Sequence, residues 1–186
     1  MEERRRHNWL TYRMEMLVIR LRDRLRPPRD VLVEAGVEPG MSVLDFGCGP
    51  GGFSLAAARL VGPEGGVHAV DVQPAALQRV RRLARRDDLS NLHAVGGEDV
   101  AALPGESMDI ALLYDVLHVD PNPAGPRSIL AAVHRLLKPD GIVSVSDHHM
   151  TDEQVTDLLT AGGLFSSLGR RGRTLRFARS PAGEEA

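Results

Sequence analysis

Residues 43–53 read VLDFGCGPGGF, an apolar run carrying a carboxylate, Asp45, with four glycines in the six residues that follow Phe46. Glycines this dense let a ligand lie against bare backbone, because no Cβ stands in the way. The short apolar run SVLDF (42–46) before them reads as a buried strand and FSLAAARLV (53–61) after them as a helix, so the glycines form a strand-to-helix loop. Gly47, Gly49 and Gly52 satisfy the loose GxGxxG pattern, in which a helix N-terminus faces a pyrophosphate. Asp45 argues against a pyrophosphate, which it would repel, and for a ligand with a cationic centre and an ammonium group.

Outward from the loop the chain alternates. GVHAVDV (66–72), NLHAV (91–95), MDIALLYDVL (108–117) and GIVSVSD (141–147) read as strands. PAALQRVRRLARR (74–86), AGPRSILAAVHRLL (124–137) and TDEQVTDLLTAG (151–162) read as helices, the first with Pro in its first turn and the last with a Thr cap. Before the loop, Leu10, Met14, Leu17, Leu21 and Leu25 mark an amphipathic helix over 8–25, and a second short helix over 29–35 ends at Gly36. After the fifth strand, LFSSLG and TLRFARS around RRGR read as an antiparallel hairpin. Strands separated by helices predict an α/β fold, a mostly parallel Rossmann-like sheet with helices on both faces.

The 186 residues suffice for one domain with a real core. The expected organisation is a helical segment over 1–36, lid or packing helix of the same domain, a main body over 37–181, and a frayed tail over 182–186. Hydrophobic residues make up 42% and charged residues 26%, the profile of a soluble globular chain. No run approaches a membrane span and the N-terminus lacks the apolar core of a signal peptide, so no membrane partner and a cytoplasmic setting are expected. The single cysteine, Cys48, excludes an internal disulfide and a thiolate zinc cluster, and no spaced ligand motif predicts a metal site. Net charge is −2, although nine arginines stand in residues 1–29 and five in 170–179. That balance disfavours nucleic acid as a partner without excluding it.

Residues 43–51, VLDFGCGPG, resemble motif I of the class I S-adenosylmethionine-dependent methyltransferases. The resemblance runs in consistent order over residues 37–179. An acid, Asp71, ends the second strand; GEDVAALPGESMDIALLYDVLH is similar to the family's third-strand loop and fourth strand; VHRLLKPDGIVSVSD leads into its fifth. The terminal hairpin would then supply strands six and seven of a seven-stranded sheet.

The resemblance implies S-adenosylmethionine as cofactor and a role for each matching position. Gly47, Gly49 and Gly51, with Cys48 between them, would let the backbone approach the methionine part. Asp45 would hold the ammonium group directly or through water. Asp71 would accept from both ribose hydroxyls, a bidentate task suited to a carboxylate, without bearing on fold stability. Val72 would lie along adenine, and Glu98 or Asp99 would accept from the adenine amino group. Asp115 and His118 would border the methyl group.

Methyl transfer needs alignment of an acceptor lone pair, and a general base where the acceptor carries a proton. His118 beyond strand four and Asp147, His148 and His149 beyond strand five are the candidates, one of the two adjacent histidines being expected to reach the pocket. An NPPY-type tetrapeptide is missing after strand four, where YDVL stands, which argues against exocyclic amines of nucleic acids. Arsenite methylation as the family builds it uses several thiols, and ribose methylation of RNA uses lysines beside the acceptor; this chain has one cysteine and one lysine, Lys138.

The overall texture is similar to the small-molecule enzymes, including the C-methyltransferases of quinone synthesis. A small-molecule acceptor is therefore expected. RNA methylation, a cofactor-binding partner subunit without turnover, and an NAD-dependent oxidoreductase are the rivals. Trp9, Tyr12 or Met16 on the 8–25 helix face the acceptor if that helix is a lid. Otherwise its Leu/Met stripe packs on the domain or on a second subunit, which leaves a homodimer open.

Overall fold

The computed structural model describes residues 27–118 and 125–181. The helix expected over 8–25, with Trp9, Tyr12 and Met16, lies outside the described residues, as does the 182–186 tail. Helix α1 (Pro28–Ala35) starts on Pro28, whose missing N–H costs nothing there, and stops at Gly36, where φ is +100°. It buries Val31, Leu32 and Ala35. Strand β1 (Ser42–Phe46) follows, then α2 (Gly52–Val61), β2 (Gly66–Asp71), α3 (Pro74–Arg86) and β3 (Leu92–Gly96). A 3₁₀ helix, Gly97–Ala102, leads to β4 (Met108–Tyr114). The rest comprises α4 (Gly125–Leu136), β5 (Leu137–Ser146), α5 (Asp152–Thr160), β6 (Phe165–Arg171) and β7 (Thr174–Arg179).

The seven strands form one sheet in the order β3-β2-β1-β4-β5-β7-β6, parallel except for β7, which runs antiparallel to both neighbours. One hydrophobic cluster lies on the face under α1, α2 and α3, with Val43, Ala69 and Leu112 from the sheet. The other lies on the opposite face under α4 and α5, with Leu44, Leu113 and Phe177. Strand order reverses between β1 and β4, so the crevice beyond their carboxyl ends is the ligand position of an open parallel sheet. The β6–β7 turn reaches the same end, because β7 enters the sheet where β5 leaves it.

Two strand limits differ from the periodicity. β4 stops at Tyr114, not 117, because Asp115 takes φ +53°, a left-handed conformation that no strand continues. β5 begins at Leu137, directly after α4, and its pairing jumps from Met108–Leu137 to Ile110–Ile142 through an irregularity. The Thr cap of α5 forms as a reciprocal box: Thr151 accepts from the Gln154 N–H, and Gln154 accepts from the Thr151 N–H.

Candidate active site

The glycine loop leaves β1 with Gly47 and Cys48 both donating N–H to the Val70 carbonyl, at 2.9 Å each. Gly47, Gly49 and Gly51 all have positive φ, a conformation that L side chains rarely adopt. A Cβ on Gly47 would stand 2.7 Å from Val116, and one on Gly51 would stand 2.7 Å from Val80 of α3. Gly49 is different: a Cβ there would meet nothing within 4 Å, so the loop faces open space at that residue. The Cys48 side chain is buried, and burial next to the Asp45 and Asp71 charges pushes its thiol pKa up, which leaves it no nucleophile.

Asp71 ends β2 with both carboxylate oxygens engaged from below. Oδ2 accepts the Gly49 N–H and Oδ1 the Gln73 N–H, each at 2.8 Å. Each oxygen keeps capacity for one further donor. This carboxylate therefore also ties the glycine loop to β2, a structural task beyond the ligand contact expected of it. Asp45 is 3% exposed and accepts the Ser54 hydroxyl of α2 at 2.5 Å. Burial, reinforced by the Asp71 charge and opposed by the Ser54 hydrogen bond, pushes the Asp45 carboxyl up to about 6. Val72, just past Asp71, is an apolar side chain 81% exposed, and a Cβ on Gly97 of the 3₁₀ helix would stand 2.9 Å from it. Glu98 and Asp99 are both exposed in the 3₁₀ helix; the Glu98 carboxylate folds back over Gly96, the residue paired with Asp71.

Beside the loop, toward β5, a cavity of about 300 Å³ opens. Val31, Phe53 and Tyr114 contribute to its lining, as do Asp115, Ser146, Asp147 and His148, and Arg170 of β6 with Gly172 and Arg173 of the β6–β7 turn completes it. Phe53 and Tyr114 meet edge to face at 4.6 Å. The acids and histidines pair across the two strand ends. His118 Nδ1 lies 2.9 Å from Asp147 of the β5 end, and His148 Nδ1 lies 2.8 Å from Asp115 of the β4 end. Asp147 also accepts the His118 and His149 N–H groups, and its side chain is fully buried. Thus His148, Asp147 and Asp115 line the cavity, while His118 stacks on His149 with ring centres 4.0 Å apart.

Phe53, Tyr114, Arg170 and Arg173 join the site without a motif in the sequence to mark them. Phe53 opens α2 and carries no polar signal, and the arginines read as part of a charge run until the hairpin places them at the site. Lys138 sits at the opposite ends of the strands, where its Nζ meets Asp109 at 2.5 Å and Asp109 accepts the Ser42 N–H.

With this geometry in place, residues 37–167 match the methyltransferase domain family. The chain belongs to the class I S-adenosylmethionine-dependent methyltransferases. An arsenite methyltransferase of Halobacterium salinarum is 32% identical over 115 residues, which are 61% of this chain and 28% of that protein. A demethylmenaquinone methyltransferase of Geobacillus stearothermophilus is 29% identical over 126 residues, 67% of this chain and 53% of that one. This methyltransferase-family chain thus spans about half, or less, of the length of these relatives. A methyltransferase structure from Aquifex aeolicus shares its fold with a TM-score of 0.71 at 23% identity, over 86% of this chain and 91% of that one.

The crevice residues of this family member fit the cofactor. Val72 offers an apolar platform, Asp71 two acceptor positions, Gly49 an unfilled approach, and Asp45 a buried negative charge for a cation. No helix among the described residues is long and apolar enough to cross a membrane, and no group of three or more potential metal ligands occurs among them.

Proposed function

We propose that the chain binds S-adenosylmethionine in the β1–β4 crevice and methylates a small molecule held in the adjoining cavity. The observation that supports this most is the position of that cavity. It opens between the glycine loop and the β5 end, bounded by Phe53 next to the loop and by a histidine–carboxylate pair.

Asp71 would hold the ribose hydroxyls and Val72 would cover one face of adenine. Asp45 would balance the positive charge of the cofactor from beneath. When bound, the cofactor supplies an electrophilic methyl carbon and a thioether leaving group. The protein's own part is to orient and to move a proton. With Nδ1 of His148 committed to Asp115, its tautomer is fixed with the proton on Nδ1, and Nε2 is left to accept one from the acceptor. Asp147 and His118 would brace the two loops that carry this pair. A single buried thiol offers no set of soft ligands for arsenic(III), so arsenite is not the acceptor we favour. The location of Lys138 away from the site likewise disfavours ribose methylation. A reduced, cytoplasmic setting suits a chain whose one cysteine is unpaired.

Calorimetric titration with S-adenosylmethionine, S-adenosylhomocysteine and NAD tests the reading. Micromolar binding of the first two and none of NAD is expected. Asp71→Ala should weaken binding by about tenfold or more, the worth of at least one hydrogen bond to a charged group. Binding of NAD alone, or wild-type affinity in Asp71→Ala, would discard it.

A further inference from the structure

The cavity has a direction. At the ends of β4 and β5 the carboxylates are spent on the protein itself. Asp147 takes three donors, from the His118 and His149 backbones and the His118 ring, and Asp115 takes the His148 backbone and ring. These anions hold loops and offer little to a cationic acceptor. What this end presents is the remaining nitrogen of His148, a half-exposed side chain and a proton acceptor.

The side formed by the terminal hairpin has the opposite character. Arg170 reaches Asp152 through Nε and Nη2, and Arg173 reaches Glu34 through the same two atoms, so the Nη1 of each makes no hydrogen bond among the described residues. The two are not equally held. Arg173 is fixed by Glu34 through its backbone N–H as well. The Arg170–Asp152 pair is exposed on both sides, 45% and 57%, and such surface pairs are weak enough for an incoming anion to compete. Phe53 and Tyr114 line the same cavity. The Tyr114 hydroxyl is committed to Ser144 at 3.0 Å and burial raises its pKa, so this residue contributes a ring face rather than a phenolate.

We propose that the acceptor is a small planar hydroxy acid. Its carboxylate sits on Arg170, its ring lies against Phe53 and Tyr114, and its hydroxyl meets His148 Nε2. The proposal rests on the methyl-transfer reading and deepens it by naming the substrate class. In the step assigned to this chain, the hydroxyl O–H bond breaks, the proton goes to His148 Nε2 and the electron pair stays on the acceptor oxygen, which is thereby the nucleophile. A cavity of about 300 Å³ is at the small end of ligand sites and suits one or two rings.

The test uses 4-hydroxy-3-nitrobenzoate, whose phenolate absorbs in the visible, with 4-nitrophenol and 4-hydroxybenzylamine as the uncharged and cationic comparisons. Each is titrated into protein saturated with S-adenosylhomocysteine, after binding of the latter has been measured alone. The benzoate should bind best, and its phenolate band should grow on binding below its free pKa. Arg170→Gln should weaken the benzoate by about tenfold, the loss of a charge-assisted hydrogen bond, and leave 4-nitrophenol unchanged. His148→Gln should keep binding within a few-fold and abolish the growth of the phenolate band. A benzoate that binds no better than 4-nitrophenol, an amine that binds tighter, or a band that survives His148→Gln overturns the proposal. If S-adenosylhomocysteine itself fails to bind, the methyltransferase reading falls and the acceptor class falls with it; if it binds and the probes do not, only the acceptor class does.

Discussion

Asp45 carries a cost to the fold that the proposed cationic ligand would offset. Its carboxyl is buried and held up to about 6, above the ordinary value of 3.8. Below that ordinary value the carboxyl is protonated in both the folded and the unfolded chain, and it carries no penalty. Between pH 4 and 6 the unfolded chain ionises while the folded one keeps its proton, so stability falls as pH rises, and above 6 the penalty is constant. A shift of that size corresponds to on the order of 3 kcal/mol. Asp45→Asn should therefore be more stable than wild type above pH 6.5 and show no such advantage at pH 4, in urea melts of the ligand-free protein. A pH-independent difference would place the cause elsewhere. Cofactor affinity has the opposite sign: a bound cation favours the carboxylate, so affinity should drop by up to about tenfold per unit below pH 6 in wild type and stay low throughout in Asp45→Asn.

Elements, rather than residues, make the cavity. The β6–β7 turn is locked onto α1 by Glu34, which accepts from the Arg173 backbone N–H and from two guanidinium nitrogens at 3.0–3.1 Å. Gly172 makes the lock possible: its φ is +56°, and a Cβ there would stand 2.3 Å from the Glu34 carboxylate. Gly172→Ala should thus cost about 1–2 kcal/mol for the left-handed backbone alone, and more for displacing Glu34. Thermal unfolding should show that loss, while S-adenosylhomocysteine should bind as in wild type, since β1, β2 and the glycine loop contribute no atom to the Glu34–Arg173 lock. Equal loss of both would mean that the turn and the crevice unfold together. The sequence made the crevice legible because its signals are local: Asp45, the glycines and Asp71 are read from their own strand ends. The cavity was hidden because its parts are contributed by five elements. That His118 meets Asp147 and His148 meets Asp115 depends on how the β4 and β5 ends face each other.

At the scale of the whole molecule, the reversal of strand order at β1–β4 divides the labour. The proposed cofactor crevice draws on β1, β2 and β3, and the cavity on β4, β5 and the terminal hairpin together with Val31 of α1 and Phe53 of α2. The two faces of the sheet are packed separately, yet β1 to β5 contribute side chains to both clusters, while β6 and β7 join the α4–α5 cluster alone; the shared strands favour cooperative unfolding. Phe177 tests this. It is fully buried on the α4–α5 face of β7, paired in register with Val143, three strands from β1. Phe177→Ala should cost about 3–5 kcal/mol by cavity formation, and at this chain length lower Tm by roughly 6–20 °C. If the molecule is one cooperative unit, the crevice unfolds with the rest: affinity for S-adenosylhomocysteine at 25 °C stays near wild type. Ligand at a hundred times Kd still adds about 2.7 kcal/mol to the weakened protein, as it does to the wild type. Two separate melting transitions, only one of them shifted by ligand, would show instead that the hairpin half and the crevice half are independent, and that the cavity between them is assembled from parts of unequal stability.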